Sequence, residues 1–468
     1  MTIGSGYVGR HDAVAALQQL LSGVGGSTSK VMIQAIEGPG GIGKTALFDH
    51  ALANVDRPAC GLLTMRVSGT QGDQRDPFQL VQALVSRCEA PVERSKPLAQ
   101  RFTNTEEIRA VYDQLTASVK AELQRVLPDV PIDQLARALR TSVEYGQRLN
   151  VLVPRSKNYV DFDHVEGYLP RIEEALKTLK PLLDEAPGVV EKLGLSRGAT
   201  LRNSVRANSL NALAEAFVSD LTALLAGYER KSLLRPAQAK VPGVNRVLLV
   251  LDDYESLAVH LGEFLVKQLI PRLKQCAFES VIAIIGRDQL ALTHPGWNQH
   301  HQRHLAPAIS LAPLSRSEMD ELVTAHGRTA VEDLERAWAD TLGYPLLVTL
   351  WLEEAREAGP GGGPSIGMLK RFHDRTTHWL TDEQMRWLYH ALFLPEVNVE
   401  TFGTSLGNEA EGRRAMLWFE SDGSVRDAQG RAFRVRPYVC SRLADYLKAT
   451  DPALFRGLGG GGPPASTP

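Results

Sequence analysis

The sequence predicts an α/β fold built on a parallel sheet, and three observations predict it. A short apolar run, residues 30–38, leads into a glycine-rich turn, and a segment with the spacing of an amphipathic helix follows at 44–55. A second run, residues 247–251, is apolar throughout, as expected of a strand buried on both faces of a parallel sheet. A third strand-like segment covers residues 280–290.

The composition is that of a globular protein without strong net charge. The chain has 468 residues, 43% of them hydrophobic and 23% charged, which is enough for two to four domains with their own cores. A net charge of -2 gives no global attraction to nucleic acid or to an anionic membrane.

The four cysteines are scattered and form no CxxC pair, which fits reduced thiols rather than a disulfide framework or a zinc site. The N-terminus has no signal pattern, and we find no apolar run of about 18 residues. We therefore expect a cytoplasmic protein without a membrane span.

Residues 38–45, GPGGIGKT, match the phosphate-loop pattern G-x-x-x-x-G-K-[ST]. The glycines let backbone N–H groups curl around an anion, and the following helix points its positive end at the same place. Lys44 is expected to neutralise the β- and γ-phosphates and to act in catalysis, and the Thr45 hydroxyl to bind Mg²⁺. The predicted nucleotide contacts are Gly38, Gly40, Gly41, Ile42, Gly43, Lys44, Thr45 and Ala46. The plainer alternative is a glycine-rich turn without a ligand, which the flanking strand and helix disfavour.

Charged residues close the second and third strand-like runs. Asp252 and Asp253 follow the second run, at the carboxyl edge where open α/β sheets bind ligands. Asp252 is the candidate Mg²⁺ ligand together with Thr45, and Asp253 is the candidate to orient or deprotonate an attacking water. Arg287 follows the third run, where its charge could reach a γ-phosphate and contribute to catalysis. The alternatives are a polar turn for the aspartates and an ordinary surface arginine.

In this order the motifs resemble the STAND class of P-loop ATPases, related to the AAA+ ATPases, which includes the NB-ARC and NACHT proteins. YVGRHDAVAALQQLL, from residue 7, resembles the opening motif of the class near the adenine, which implies Val8, Gly9 and Arg10 as nucleotide contacts. LGYPLLVTLWL, from residue 342, resembles its Gly-x-Pro lid motif, which implies that Gly343 and Pro345 lie against the base. VLLVLDD and IIGRD resemble its metal strand and its arginine sensor strand.

The sequence divides into four predicted parts. They are a nucleotide-binding domain at 1–315 with a helical insertion at about 92–206, a helical lid at 316–358, a winged-helix-like domain at 366–455 and a disordered Gly/Pro-rich tail at 456–468. The insertion has helical periodicity and is either a partner-binding, assembly or sensing element or a decoration without a separate role.

The predicted winged helix contains a first helix at 380–394 with a Thr/Asp-type cap and a hairpin turned at 428–430. The resembling class has a histidine after this hairpin that contacts bound ADP. Arg436 occupies that place here, which makes it a candidate contact to the β-phosphate.

The resemblance implies an ATP/ADP-dependent molecular switch with Mg²⁺ and slow ATP hydrolysis. ADP would hold core, lid and winged helix closed, and exchange for ATP would release the winged helix and permit a homo-oligomer. Because the chain starts at the opening motif and stops soon after the winged helix, we expect the effector or sensor on a partner protein. By analogy alone, the setting would be bacterial defence or regulation.

The alternative is a DNA-associated AAA+-type ATPase of the replication-initiator or transposition-regulator kind. The arginines between residues 413 and 436 leave DNA contact open, but the acidic residues among them favour a solvated or interdomain face. A third hypothesis, a nucleotide-binding scaffold without turnover, is disfavoured by the intact phosphate-loop and metal-strand residues.

Overall fold

The structure, a computed structural model, describes residues 7–23, 30–69, 76–89, 101–111, 113, 209–233, 244–357, 365–378, 380–422, 425–427 and 433–459. Most of the predicted insertion at about 92–206 lies outside these residues, so its organisation stays a prediction. The same holds for residues 460–468 of the predicted tail.

A six-stranded sheet forms the centre of the N-terminal part. Its strands are β1 (Val31–Glu37), β2 (Leu62–Ser68), β3 (Cys88–Glu89), β4 (Arg246–Asp252), β5 (Glu279–Gly286) and β6 (Ile309–Ser310). Their order across the sheet is β3-β2-β4-β5-β1-β6, and every neighbouring pair is parallel except β2 with β3. The predicted α/β fold with a parallel sheet is therefore confirmed.

Both faces of the central strands are buried. Along β4, Leu248 and Val250 pack into one core, whereas Val247, Leu249 and Leu251 pack into the other. Successive side chains of a strand point to opposite faces, so a strand covered on both sides must be apolar throughout. This confirms the prediction made from the apolar run at 247–251.

Helices cover the two faces. In the N-terminal part they are α1 (His11–Ser22), α2 (Lys44–Ala53), α3 (Pro77–Ser86), α4 (residues 103–111), α5 (Ser209–Leu233), α6 (Tyr254–Phe264), α7 (Ile270–Leu273), α8 (Leu290–Thr293) and α9 (Gly296–His301). A π-helical turn, Leu265–Leu269, joins α6 to α7, and a 3-10 turn, Gln302–His304, follows α9. The first two helices lie on one face, and α3, α4, α5 and α6 lie on the other.

One stretch of α5, Leu210–Tyr228, is long and apolar enough to cross a membrane by length and composition alone. This stretch is 56% buried, and its buried side chains, including Phe217 and Leu221, pack in the core on one face of the sheet. In its middle, Asp220 accepts hydrogen bonds from the Thr105 N–H at 2.8 Å and hydroxyl at 2.7 Å. The expectation that no apolar run reaches this length overlooked the stretch, which the structure packs as a core helix.

The C-terminal part is helical, with one small hairpin. Its helices are α10 (Arg316–Ala325), α11 (Val331–Thr341), α12 (Pro345–Glu357), α13 (Ile366–Thr377), α14 (Asp382–Ala391), α15 (Val399–Leu406), α16 (Glu409–Ser421), α17 (Pro437–Thr450) and α18 (Pro452–Gly457). The antiparallel strands β7 (Arg426–Asp427) and β8 (Arg434–Val435) lie between α16 and α17, and their predicted turn at 428–430 lies outside the described residues. The first residues assigned to the tail, 456 and 457, belong to α18.

The predicted helix cap of the C-terminal part matches its elements, and a further backbone bridge lies beside the hairpin. Thr381 caps α14, because its hydroxyl accepts from the Gln384 N–H at 3.2 Å while the Thr381 N–H donates to Gln384 Oε1 at 3.1 Å. Val397, before α15, forms an isolated antiparallel bridge with Phe433 beside the hairpin. Helices α10 to α12, which form the predicted lid, and the later helices share one hydrophobic core with the sheet face that α1 and α2 cover.

Candidate functional site

The glycine loop leaves the carboxyl end of β1 and turns into α2. Gly41 and Gly43 have φ angles of 81° and 89°, which glycine adopts without the strain that a side chain would add. Gly43 is the N-cap of α2, and no described side chain caps that helix end. Ile42 is fully buried and fixes the loop to the core. The N–H groups of the first helical turn, from Lys44 to Ala46, are therefore available to an anion.

Lys44 folds back over the loop. Its Nζ donates to the carbonyl oxygens of Gly38 at 2.7 Å and Pro39 at 3.0 Å. Burial lowers the pKa of Lys44; the charge of Glu255 opposes this, and the charge of Arg287 adds to it. The ammonium lies at the mouth of the loop, where a phosphate oxygen is a stronger acceptor than a peptide carbonyl.

The structure brings together the two residues predicted to bind metal. The Thr45 hydroxyl donates to both carboxylate oxygens of Asp252, at 3.1 and 3.2 Å. They meet because β4 and β1 flank β5, so that the carboxyl ends of these parallel strands share one edge. A hydroxyl and a carboxylate are oxygen ligands of the kind that Mg²⁺ prefers, so this pair fits the cation.

Asp253 begins the turn into α6 with a left-handed backbone, φ 50° and ψ 47°. Its Oδ2 accepts a hydrogen bond from Ser68 Oγ at 2.7 Å. Burial raises the pKa of Asp253; the bond from Ser68 opposes this rise, and the charges of Asp252 and Glu255 add to it. A higher pKa makes the carboxylate a better proton acceptor, which suits the predicted role of activating water.

Arg287 is held by Glu255, an acid that the sequence analysis did not mark. Arg287 Nε donates to Glu255 Oε1 at 2.5 Å, and the Arg287 N–H donates to Oε2 at 3.0 Å. Burial alone would raise the pKa of Glu255, but the charges of Arg287 and Lys44 outweigh it, and the pKa is lowered. Glu255 therefore sets the position of the predicted sensor arginine.

Arg66 on β2 is a second residue that the sequence analysis missed. Its Nη2 donates to Asp252 Oδ2 at 2.7 Å, and its Nη1 pairs with Asp49 of α2. Burial alone would lower the pKa of Arg66, but the hydrogen bonds to both acids outweigh it, and the pKa is raised. The predicted metal carboxylate thus has a cationic partner within the chain.

The opening segment, which contains the predicted contacts Val8 and Gly9, passes between α2 and α10. The Arg10 N–H donates to Glu318 Oε1 at 2.7 Å, and Glu318 also forms the capping box of α10. A Cβ placed on Gly43 would lie 3.2 Å from Arg10 Nη1. The Arg10 guanidinium therefore lies at the N-terminal end of α2, where a helix favours an anion.

The turn before α12 touches the glycine loop directly. The Tyr344 hydroxyl donates to the Gly40 carbonyl oxygen, and the Leu346 N–H donates to the Gly41 carbonyl oxygen at 3.2 Å. Pro345, the predicted base contact, lies between these residues and begins α12. The turn before α12 therefore binds carbonyl oxygens of the loop, and within the described part of the chain it makes no hydrogen bond to the N–H groups of the first turn of α2.

The C-terminal part reaches the same place through α17. The Tyr438 ring stacks on Tyr344, with centroids 4.2 Å apart and planes 19° apart. Burial raises the pKa of both tyrosines, and the charge of Arg436 opposes this rise. Arg436, predicted to meet a β-phosphate, is the N-cap residue of α17 and lies two residues before Tyr438.

One edge of the sheet thus gathers most of the predicted site. A lysine, an open helix N-terminus, a hydroxyl, two carboxylates and an arginine lie at the carboxyl ends of β1, β4 and β5. This arrangement is that of a P-loop NTPase, and its chemistry suits a nucleotide polyphosphate with a hard cation.

Solved structures with a similar fold include two proteins, one from Pyrococcus abyssi and one from Aeropyrum pernix. No protein-family model matches the chain, and no curated protein matches it. The Walker-type ATPase paby2304 of Pyrococcus abyssi has 12% identity and a TM-score of 0.46, with 93% of this chain and 96% of that chain covered. The ORC1 protein of Aeropyrum pernix, determined in complex with DNA, has 11% identity and a TM-score of 0.37, with 96% and 94% covered. Both similarities are weak, and the assignment of the fold stands on the chain's own strand order and loop.

Proposed function

We propose that this chain is an ATP/ADP-dependent molecular switch of the STAND type that hydrolyses ATP slowly. The observation that carries the proposal is one shared contact: Tyr344 touches the glycine loop at Gly40 and the C-terminal part at Tyr438. Closely packed rings in a core do not shift independently, so a movement of the loop that displaces Tyr344 also displaces α17.

In this proposal the chain's own groups bind the phosphates. The N–H groups of the loop and of the first turn of α2 donate to phosphate oxygens, and Lys44 neutralises their charge. Arg10 approaches from the opening segment and Arg436 from α17, which adds positive charge on two sides. Thr45 and Asp252 would hold Mg²⁺, whose positive charge would offset the negative charge of the phosphates.

Hydrolysis uses the groups at the ends of β4 and β5. Asp253 orients the attacking water and accepts its proton, while the bond between the γ-phosphorus and the oxygen of ADP breaks. Ser68 fixes the Asp253 carboxylate for this task. Arg287, positioned by Glu255, stabilises the negative charge on the transferred phosphoryl group.

The switch follows from the difference between the two nucleotides. ADP is proposed to favour the docked arrangement of lid and winged-helix-like part, whereas the γ-phosphate of ATP, through Arg287 and Lys44, favours a released one. A tenfold shift in population requires about 1.4 kcal/mol of differential binding. Release is proposed to expose a surface for a homo-oligomer and for a cytoplasmic partner protein that carries an effector or a sensor, in bacterial defence or regulation.

The first experiment identifies the ligand and the reaction. Mass spectrometry of nucleotide released from the denatured protein is expected to find ADP or ATP, and purified protein is expected to release phosphate from ATP. Asp253→Asn is expected to bind ATP as tightly as the wild type and to hydrolyse it about a hundredfold more slowly. A chain that binds no adenine nucleotide contradicts the proposal, and full turnover by Asp253→Asn removes that residue from its role.

A second candidate, a DNA-associated ATPase, draws support from the surface of α16. This helix precedes the hairpin and exposes Arg413, Arg414 and Leu417. Both arginines face acids, however, with Arg413 paired to Glu409 at 2.6 Å and Arg414 to Glu383 at 3.4 Å. Because these carboxylates repel phosphates, we place this candidate second. Stimulation of ATP hydrolysis by duplex DNA would favour it, whereas the switch needs no DNA.

A further inference from the structure

We infer that Arg66 is a built-in counter-ion of the metal site, which competes with a divalent cation for Asp252 and shifts onto Asp49 when the cation binds. The inference rests on the proposed binding of a magnesium–nucleotide complex at this loop. It would give the chain a threshold concentration of Mg²⁺ for tight nucleotide binding.

The register of the sheet places Arg66 at the metal carboxylate. Arg66 lies beside Val250 of β4, two residues before Asp252. Side chains two residues apart on a strand point to the same face, so Arg66 and Asp252 both face α2. Asp49, one turn and a half along that helix from Lys44, completes the group.

The donors on Asp252 compete with a metal for its lone pairs. Asp252 Oδ2 accepts from Arg66 at 2.7 Å, Oδ1 accepts from the Asp253 N–H at 3.1 Å, and the Thr45 hydroxyl bridges both oxygens. A carboxylate has about four acceptor positions, and a cation needs at least one of them together with the oxygen of Thr45. Thr45 can turn its proton away and offer its oxygen to the cation, whereas the guanidinium of Arg66 has only donors to offer and remains a competitor at Oδ2.

Charge reinforces this competition. The Asp252 side chain is only 6% exposed, and a carboxylate so buried needs a cation beside it. Arg66 supplies that charge in the structure described here. A doubly charged ion on the same carboxylate would repel the guanidinium, because both positive charges would then lie close together in a poorly screened place.

Asp49 offers Arg66 an alternative position. The Arg66 side chain is 33% exposed and Asp49 is 50% exposed, so the arginine has solvent on one side in which to move. Its guanidinium already contacts both acids, since the planar group presents donors in two directions. Release of Asp252 therefore leaves Arg66 paired and not isolated.

Two substitutions test the competition with opposite expected signs. Binding of a fluorescent, non-hydrolysable ATP analogue is measured at fixed concentration while free Mg²⁺ is varied. Arg66→Gln is expected to lower the Mg²⁺ concentration for half-maximal binding by at least about fivefold. Asp49→Asn is expected to raise this Mg²⁺ concentration, because Asp252 is then the one carboxylate that pairs with Arg66 in the described contacts. Arg57→Gln, which removes a surface arginine paired with exposed Glu89, is the matched control and is expected to change nothing.

Direct metal binding gives a readout that does not depend on turnover. Electron paramagnetic resonance measures the binding of Mn²⁺ to each protein with the ATP analogue present. The affinity for Mn²⁺ is expected to be highest in Arg66→Gln, intermediate in the wild type and lowest in Asp49→Asn. An Mg²⁺ requirement that is unchanged or higher in Arg66→Gln overturns the inference. Thermal unfolding in EDTA checks that Arg66→Gln folds. If Arg66→Gln does not fold, Asp49→Asn, which keeps the pair of Arg66 with Asp252, provides the test. An unchanged Mg²⁺ requirement in Asp49→Asn then overturns the inference by itself.

The wild-type protein separates this inference from the proposed function. If the wild type shows no Mg²⁺-dependent nucleotide binding, the proposed function fails and the inference fails with it. If the wild type shows that dependence and the variants do not move it, only the role of Arg66 is lost.

Discussion

At the scale of single residues, the candidate site is a set of charges in balance. Among the cations are Lys44, Arg66 and Arg287, and among the anions are Asp252, Asp253 and Glu255. Each cation has its own acceptor in the structure, whether a carbonyl oxygen or a carboxylate. A triphosphate that enters this group must therefore compete for donors already in use, and it brings the negative charge that makes the exchange favourable.

Lys44→Ala tests the phosphate contact. The substitution removes a charged hydrogen-bond donor worth about 1.5–3 kcal/mol, so the affinity for ATP measured by calorimetry should fall at least about tenfold. Lys370→Ala, which removes an exposed lysine paired with Asp374 on α13, should leave the affinity unchanged. Equal ATP affinity in wild type and Lys44→Ala would refute the assignment of the loop.

Glu255→Gln tests the buried ion pair through its dependence on pH. The folded-state pKa of Glu255 lies below its ordinary value of 4.5, so its pairing with Arg287 stabilises the fold fully above that value and is lost as pH falls through the folded pKa. Breaking the pair should lower the free energy of unfolding by about 3 kcal/mol at neutral pH. This deficit relative to wild type should shrink in acid.

Chemical denaturation at several pH values measures both effects of Glu255→Gln. Glu89→Gln, at an exposed pair with Arg57, serves as the control and should change the free energy of unfolding by less than about 0.5 kcal/mol. A deficit for Glu255→Gln that stays constant into acid would show that the substitution acts through packing and not through charge.

The sequence predicts some of these residues and not others, for a physical reason. Lys44, Thr45 and Asp252 belong to local patterns, in which glycine spacing or an apolar strand marks the place of the functional side chain. Arg66 and Glu255 have no such pattern. Arg66 reaches Asp252 only because β2 lies beside β4 in one register, and strand order and register are not visible in a single sequence.

At the scale of elements, three distant segments close around the glycine loop. The opening segment before α1 is tied to the lid by the bond from the Arg10 N–H to Glu318. The lid turn before α12 contacts the loop carbonyls through Tyr344. Helix α17 is tied to α11 by Arg442, whose Nη2 donates to the Ala339 carbonyl oxygen at 2.7 Å.

Tyr344→Phe tests the contact between lid and loop. The ring and its stacking on Tyr438 remain, but the Gly40 carbonyl loses its donor, and a net hydrogen bond is worth about 0.5–1.5 kcal/mol. The dissociation constant for ADP should rise between about twofold and tenfold. Tyr389→Phe is the control, because it removes a hydroxyl that contacts His373 of α13 at 2.9 Å. This variant should bind ADP as tightly as the wild type.

An equal loss of ADP affinity in both tyrosine variants, or none in either, would contradict the role of Tyr344.

The sequence singles out Gly343 and Pro345 of this turn but not the tyrosine between them. Tyr344 reads as an ordinary aromatic in an apolar segment, and only the docking of α12 on the loop gives its hydroxyl an acceptor. By contrast, the sequence predicts the helices and strands around Tyr344 from apolar periodicity, because that pattern is local.

At the scale of the whole molecule, sheet, lid and C-terminal helices share one hydrophobic core. It extends from Phe48 of α2 through Val348 of α12 to Leu443 of α17. Separation of the C-terminal part from the lid would expose this apolar surface to water, which costs free energy in proportion to its area. A switch must therefore draw the opening free energy from nucleotide contacts or from a new protein interface.

The most direct measurement is small-angle X-ray scattering of the wild-type protein with saturating ADP and with a non-hydrolysable ATP analogue, each with Mg²⁺. The switch predicts a larger radius of gyration or a higher molecular mass with the ATP analogue, and no difference between the two nucleotides for Lys44→Ala. Identical scattering of the wild-type protein in both states, with each nucleotide shown to be bound, would contradict it.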